Sequence, residues 1–95
     1  MARSSRKGSA GRDPYDCSVD LHGMFAAEAM TLVERMIAVH PRCSILIIHG
    51  NGSGTLRSAV RGALKAHRFP AVRDYFFGED IGAPGFDGVT VVHTR

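Results

Sequence analysis

The sequence predicts an α/β fold, a two-layer α+β sandwich in which β-α-β-α-β-β connectivity builds a four-stranded mixed sheet. Three observations carry that expectation. Two stretches place apolar residues at helical spacing, four short runs are rich in Ile, Val, Leu and Phe, and proline or glycine separates one from the next. With 95 residues, 44% of them apolar and 22% charged, the chain has material for one compact domain and one core.

Cys17 to Leu21 is a short extended run that ends at His22-Gly23, and it reads as the first strand. From Phe25 to His40 the residues Ala26, Ala29, Met30, Val33 and Ile37 fall on one helical face, while Glu28, Thr31 and Arg35 fall elsewhere. Pro41 ends this helix, because a proline excludes the helical region for the residue before it. Ser44 to Ile48 is a continuous Ile/Leu run, the pattern of a strand buried on both faces. A turn carrying Gly50, Gly52 and Gly54 follows. Leu56, Ala59, Val60, Ala63 and Leu64 then predict a second helix over Thr55 to His67, with Ser53 or Thr55 as its cap. Beyond Pro70 come a third strand, Val72 to Phe77, a glycine-rich loop from Gly78 to Gly88, and a fourth strand, Val89 to His93. Right-handed crossovers make the first three strands parallel, and the last pair returns antiparallel.

Charge divides the chain. Residues 1–12 hold Arg3, Arg6, Lys7 and Arg12 and no acid, whereas the remainder has 8 bases and 9 acids. Residues 1–13 read as a basic tail too poor in apolar side chains to order itself, and 14–95 as the folded domain. Such a tail binds nucleic acid weakly by neutralising phosphates, or is simply a solvated leader. The longest apolar run is Ile45 to Ile48, far too short to cross a bilayer, and no stretch of about 7–15 apolar residues forms a secretory signal. The expected compartment is the cytoplasm, with no membrane partner. Cys17 and Cys43 lack metal-ligand spacing and read as small buried hydrophobes.

In open α/β sheets ligands bind beyond the carboxyl ends of the strands, and both unusual loops sit there. Asp20 and His22 are two residues apart in an extended run, so an acid and an imidazole share one surface. The loop His49-Gly50-Asn51-Gly52-Ser53-Gly54 leads straight into a helix, whose unpaired amides and dipole suit a phosphate. Arg57, Arg61, Lys65 and Arg68 follow at offsets of three and four, a basic stripe opposite the apolar face. The loop lacks the Gly-Lys-Ser/Thr ending of a nucleoside-triphosphate loop and reads GxGxG where a dinucleotide fingerprint has GxGxxG, so neither an ATPase nor a dehydrogenase is indicated. Asp20, His22 and His49 form a two-histidine, one-carboxylate metal triad if all three converge. Each feature also has a structural reading: a solvated helix face, a flexible turn, an Asp capping a turn beside a strand-end His. His40, His67 and His93 read as helix-end and strand-end residues, and Phe76, Phe77 and Phe86 as packing residues.

Val19-Asp20-Leu21-His22-Gly23, His49-Gly50-Asn51-Gly52-Ser53-Gly54 and Gly88-Val89-Thr90-Val91-Val92 together resemble the three signature blocks of the Smr, or small MutS-related, domain, in the family's order and spacing over about residues 17–94. The resemblance implies a β-α-β-α-β-β sandwich similar to the C-terminal domain of bacterial translation initiation factor three. It also implies endonuclease activity: DNA nicking without strong sequence preference or, for some members, cleavage of messenger RNA on stalled or collided ribosomes. On that basis Asp20 and His22 become the catalytic candidates, and His49, Gly50, Asn51, Gly52, Ser53 and Gly54 the phosphate loop, with Arg57, Arg61 and Lys65 as further contacts to nucleic acid. The first block opens on Val19 where Leu is usual, a nearly volume-conserving change, and Asn51 stands where a basic residue is frequent, which weakens the hold on phosphate.

The mechanism expected is phosphodiester cleavage with His22 as general acid or base, since an imidazole ordinarily titrates near ~6.5, and with Asp20 orienting it. Loop amides and Arg57 stabilise the developing charge. On RNA the 2′-hydroxyl is a ready nucleophile, whereas on DNA water must attack, which usually calls for a metal ion such as Mg²⁺ or Mn²⁺. The competing expectation is a non-catalytic module that recognises nucleic acid or the ribosome by shape and charge.

Overall fold

A computed structural model describes residues 14–95, so the expectation of a basic tail over 1–13 lies outside the described residues. The chain runs β1 (Cys17–Asp20), α1 (Ala26–Val39), β2 (Ser44–Ile48), α2 (Thr55–Lys65), β3 (Val72–Phe77), α3 (Gly78–Ile81), a single 3₁₀ turn (Phe86–Gly88) and β4 (Val89–Thr94). Every expected strand and long helix is present, with ends displaced by one or two residues. The segment 78–88 departs from its expected loop. Ala83 N–H bonds back to the Gly78 carbonyl at 3.0 Å, and Gly82 leaves the short helix at φ 66°.

The four strands form one sheet in the order β1-β2-β4-β3. β1 and β2 are parallel, with Asp20 opposite Ile48. β4 inserts between β2 and β3 and runs antiparallel to both, which leaves β1, β2 and β3 parallel to one another, as expected. Its central place explains why Val89, Thr90, Val91, Val92 and Thr94 are all buried, while the edge strands β1 and β3 bury only Val19.

Both long helices cover one face. Ala29, Val33 and Ile37 of α1 and Val60 and Leu64 of α2 pack on Val19, Leu21, Ile45, Ile47 and Val92. The opposite face carries a smaller cluster of Leu46, Val89 and Val91, closed by Ala83 and Tyr15. Because Val19 and Leu21 face the helices, Asp20 projects to the other side at the end of β1. Cys17 and Cys43 are half-buried, a departure from the fully buried reading, since each lies where β1 or the start of β2 meets solvent. Among the described residues no helix is long and apolar enough to cross a membrane.

Candidate phosphate-binding and catalytic cleft

Parallel pairing of β1 and β2 brings the two loops side by side. β1 ends in a tight turn closed by Met24 N–H donating to the Leu21 carbonyl at 3.0 Å. Gly23 holds the turn's third position at φ 82°, which only glycine adopts cheaply. Here Asp20 Oδ1 accepts the backbone N–H of His22 at 3.0 Å and the ring Nδ1 at 3.2 Å. An ionised carboxylate only accepts, so Nδ1 carries the hydrogen and Nε2 offers its lone pair outward. The backbone hydrogen bond from His22 holds the Asp20 carboxyl below its ordinary value. The pair is open to solvent, with His22 at 80% and Asp20 at 56% side-chain exposure.

The second loop is anchored from the start of β4, the neighbour of β2 on the side away from β1. The Gly88 carbonyl accepts both the His49 N–H at 3.0 Å and the Gly50 N–H at 2.9 Å. The amide of Gly50 is therefore engaged, and the expected anion donors reduce to those from Asn51 into α2. Gly54 is the N-cap of α2 in the left-handed conformation, φ 85°, and no side chain caps the helix. Ser53 Oγ accepts the Thr55 N–H at 3.3 Å, and the two hydroxyls lie 3.0 Å apart. That leaves the positive end of an 11-residue helix facing the cleft.

His49 plays a different part from the one its place in the loop suggests. Its imidazole is buried; Nδ1 lies 3.0 Å from the Gly50 carbonyl and Nε2 2.9 Å from Thr90 Oγ1. A carbonyl only accepts, so Nδ1 bears the hydrogen and Nε2 accepts from the Thr90 hydroxyl, which in turn accepts the Arg61 Nε–H at 3.0 Å. Burial, reinforced by the Arg61 charge, pushes the His49 pKa down and keeps the ring neutral. With both nitrogens engaged, His49 does not converge with Asp20 and His22. Among the described residues no three His, Cys, Asp or Glu side chains gather to hold a metal ion, so the triad is not formed.

The basic stripe also divides. Arg61, expected on the solvated face, is 9% exposed. Its guanidinium donates to both Glu79 oxygens at 2.7 Å and to the Val89 carbonyl at 2.9 Å, and lies 4.1 Å from the centre of the Phe77 ring. These bonds hold the Glu79 carboxyl at about 2. Arg61 turns inward because α3 raises Glu79 beside α2 and β4 supplies Thr90, partners 18 and 29 residues away. Arg57 does reach the loop: it lies over Gly54, where a Cβ would come within 3.1 Å of its Nη2, but it also pairs with Asp87 at 3.6 Å. Asp87 accepts from Asn51 Nδ2 at 3.1 Å as well. Lys65 and Arg68 remain exposed, Lys65 near the Phe77 ring at 5.5 Å.

His22 and the glycine loop line one cleft of about 510 Å³, which also takes in Met24, Phe25 and the start of α2. Sequence reasoning missed four contributors: Phe25, Glu79, Asp87 and Thr90. Asp87, an acid directly before the Gly88-Val89 block, and Thr90, a polar residue inside it, had a local signal.

This arrangement, with signature blocks at the ends of β1 and β2 and at the start of β4, is that of the Smr domain, and the chain belongs to that family: its family model matches residues 19–95. Among individual relatives, the chain is 42% identical over 91 residues to a protein of Bacillus mycoides (strain KBAB4) named Endonuclease MutS2. It is 40% identical over the same length to the protein of that name in Bacillus velezensis. In each case the match covers 90% of this chain and 11% of the relative, so the chain spans about a ninth of the length of these curated relatives. The crystal structure of the Smr domain of Thermus thermophilus MutS2 superposes with a TM-score of 0.67 at 35% identity, over 82% of this chain and 96% of that one.

Proposed function

We propose that this chain is an endonuclease domain that cleaves phosphodiester bonds in nucleic acid with little sequence specificity. One observation carries the reading: His22, whose Nδ1 is tied to Asp20, lines the same cleft as the start of α2, where no side chain caps the helix. Donors from Asn51 to Gly54 and the first turn of α2 hold a backbone phosphate, and Arg57 adds charge. His22 Nε2 takes the proton from the attacking hydroxyl as its oxygen bonds to phosphorus, the P–O bond opposite breaks, and the ring returns the proton to the departing oxygen, with Asp20 keeping the ring in the required tautomer. On RNA that hydroxyl is the neighbouring 2′-OH. On DNA it is water, and Asp20 would be the carboxylate to hold a Mg²⁺ or Mn²⁺ ion, which would supply polarisation of that water. The name of the relatives, Endonuclease MutS2, supports the same reading.

The test compares the unmodified protein with Asp20→Ala and His22→Ala on supercoiled plasmid and on a labelled structured RNA, each with Mg²⁺, Mn²⁺ or chelator. Cutting by the unmodified protein alone supports the proposal, and the substrate cut names the nucleic acid. Retardation of substrate by all three proteins, with no cutting by any, makes the chain a binding module instead.

A further inference from the structure

One wall of the cleft is left without a role by phosphate binding. Phe25 is the N-cap of α1, at φ −71° and ψ 151°, the position where Ser, Thr, Asp or Asn accepts an otherwise orphaned helix amide. A benzyl group accepts nothing, and no side-chain cap bond forms there. Glu28 reaches back only to the Phe25 N–H, at 3.3 Å. Nor does the ring bury itself. At 81% exposure it is the most exposed large hydrophobic among the described residues, more so than Phe86 at 62%. Phe25 thus serves neither cap nor core, and a local rule broken without structural gain is expected where function requires it.

Its surroundings specify the partner. The cleft is polar along the loop from Gly50 to Thr55 and apolar along Met24, Phe25 and Leu56. A nucleotide has the same two characters, an anionic phosphate and a flat apolar base. The volume of about 510 Å³ lies within the range of roughly 300–1,000 Å³ that holds compact organic ligands. We infer that Phe25 is a stacking platform for an unpaired nucleobase adjoining the phosphate at the start of α2. This rests on the nucleic-acid reading above and extends it to substrate form: bases inside a continuous duplex have both faces covered, so the ring engages single-stranded or locally unpaired nucleic acid.

The experiment measures fluorescence anisotropy of three end-labelled oligonucleotides of equal length, in chelator and at low temperature: a single strand, the same strand with abasic positions, and a fully paired duplex. The proteins are the unmodified chain, Phe25→Thr and Phe25→Tyr. Threonine installs the missing cap, so the melting temperature should rise, and lost binding then cannot come from misfolding. The expected result is a loss of roughly 5- to 150-fold in affinity of Phe25→Thr for the single strand, with Phe25→Tyr within about twofold of the unmodified protein. The abasic strand and the duplex should bind all three proteins equally. Equal single-strand affinity for Phe25→Thr and the unmodified protein overturns the stacking role alone, as does an equal loss on the abasic strand. If the unmodified protein binds none of the three, the nucleic-acid reading fails and the stacking role fails with it.

Discussion

Replacing Arg61 by Ala separates a structural guanidinium from a nucleic-acid contact. The side chain is nine-tenths buried and makes two bonds to Glu79, one to Thr90 and one to the Val89 carbonyl. Removing one partner of a buried ion pair typically costs ~3–5 kcal/mol. The Glu79 carboxylate is 39% exposed and rehydrates when orphaned, which places its share at the low end. Thr90 and the Val89 carbonyl are sealed from water and lose a donor each, which restores part of that discount at ~1–3 kcal/mol per desolvated group, partly the same energy counted from the other side. About 3–4 kcal/mol is therefore expected, against a global stability of ~5–15 kcal/mol for a small domain. In urea, with m of ~1–1.5 kcal/mol per M, the midpoint by circular dichroism should fall by about 2–4 M. Arg68→Ala, an exposed base beyond α2, should stay within ~0.5 kcal/mol. A loss below ~1 kcal/mol for Arg61→Ala, with nucleic-acid affinity collapsing instead, would refute the buried-network argument and return Arg61 to the surface stripe.

Other outcomes follow from the same geometry. In the cleavage assay, His22→Ala should lose ~10²-fold or more in rate while binding changes less than about twofold. Asp87 places a negative charge beside the loop, on Asn51 and Arg57, so Asp87→Asn should tighten binding to nucleic acid by about two- to fivefold at low salt, and a weakening would contradict its placement. His49 has a depressed pKa in the folded protein, so the unfolded chain binds a proton first as the pH falls below the ordinary value of 6.5. Its contribution to stability is complete above that pH and declines toward the folded pKa. Urea titrations from pH 7.5 to 5 should show this part of the slope vanish in His49→Gln, and an unchanged slope would place the ring in solvent.

What could be read from the sequence tracks how local the cause is. The face of α1 was legible because Ala29, Val33 and Ile37 pack on a single layer, which imposes one helical stripe. β2 was legible because it is covered on both sides, and the Asp20–His22 contact because extended backbone fixes a two-residue spacing. The place of β4 was not, since its pairing with β2 joins Ser44 to His93 and Ile48 to Val89 across half the chain. Periodicity could not separate an arginine that reaches solvent from one that fills a polar hole, as the acceptors of Arg61 lie on α3 and β4. α3 went unread because Gly78, Gly82 and Gly85 give a helical turn the composition of a loop. Phe25 stands where the apolar spacing opens a helix, and nothing in that spacing distinguishes a cap position from a core one.

The position of β4 also fixes an order of events. A ribosome delivers β1, α1, β2, α2 and β3 before it, and until β4 emerges the facing edges of β2 and β3 have no partner. The Gly88 carbonyl and Thr90 hydroxyl that seat Gly50 and His49 arrive with that last strand. A nascent chain can thus carry every residue of the Asp20–His22 pair and of the glycine loop without having assembled them. Competence, on the proposed reading, is acquired in the final step of sheet closure and is surrendered in the first opening that frees β4.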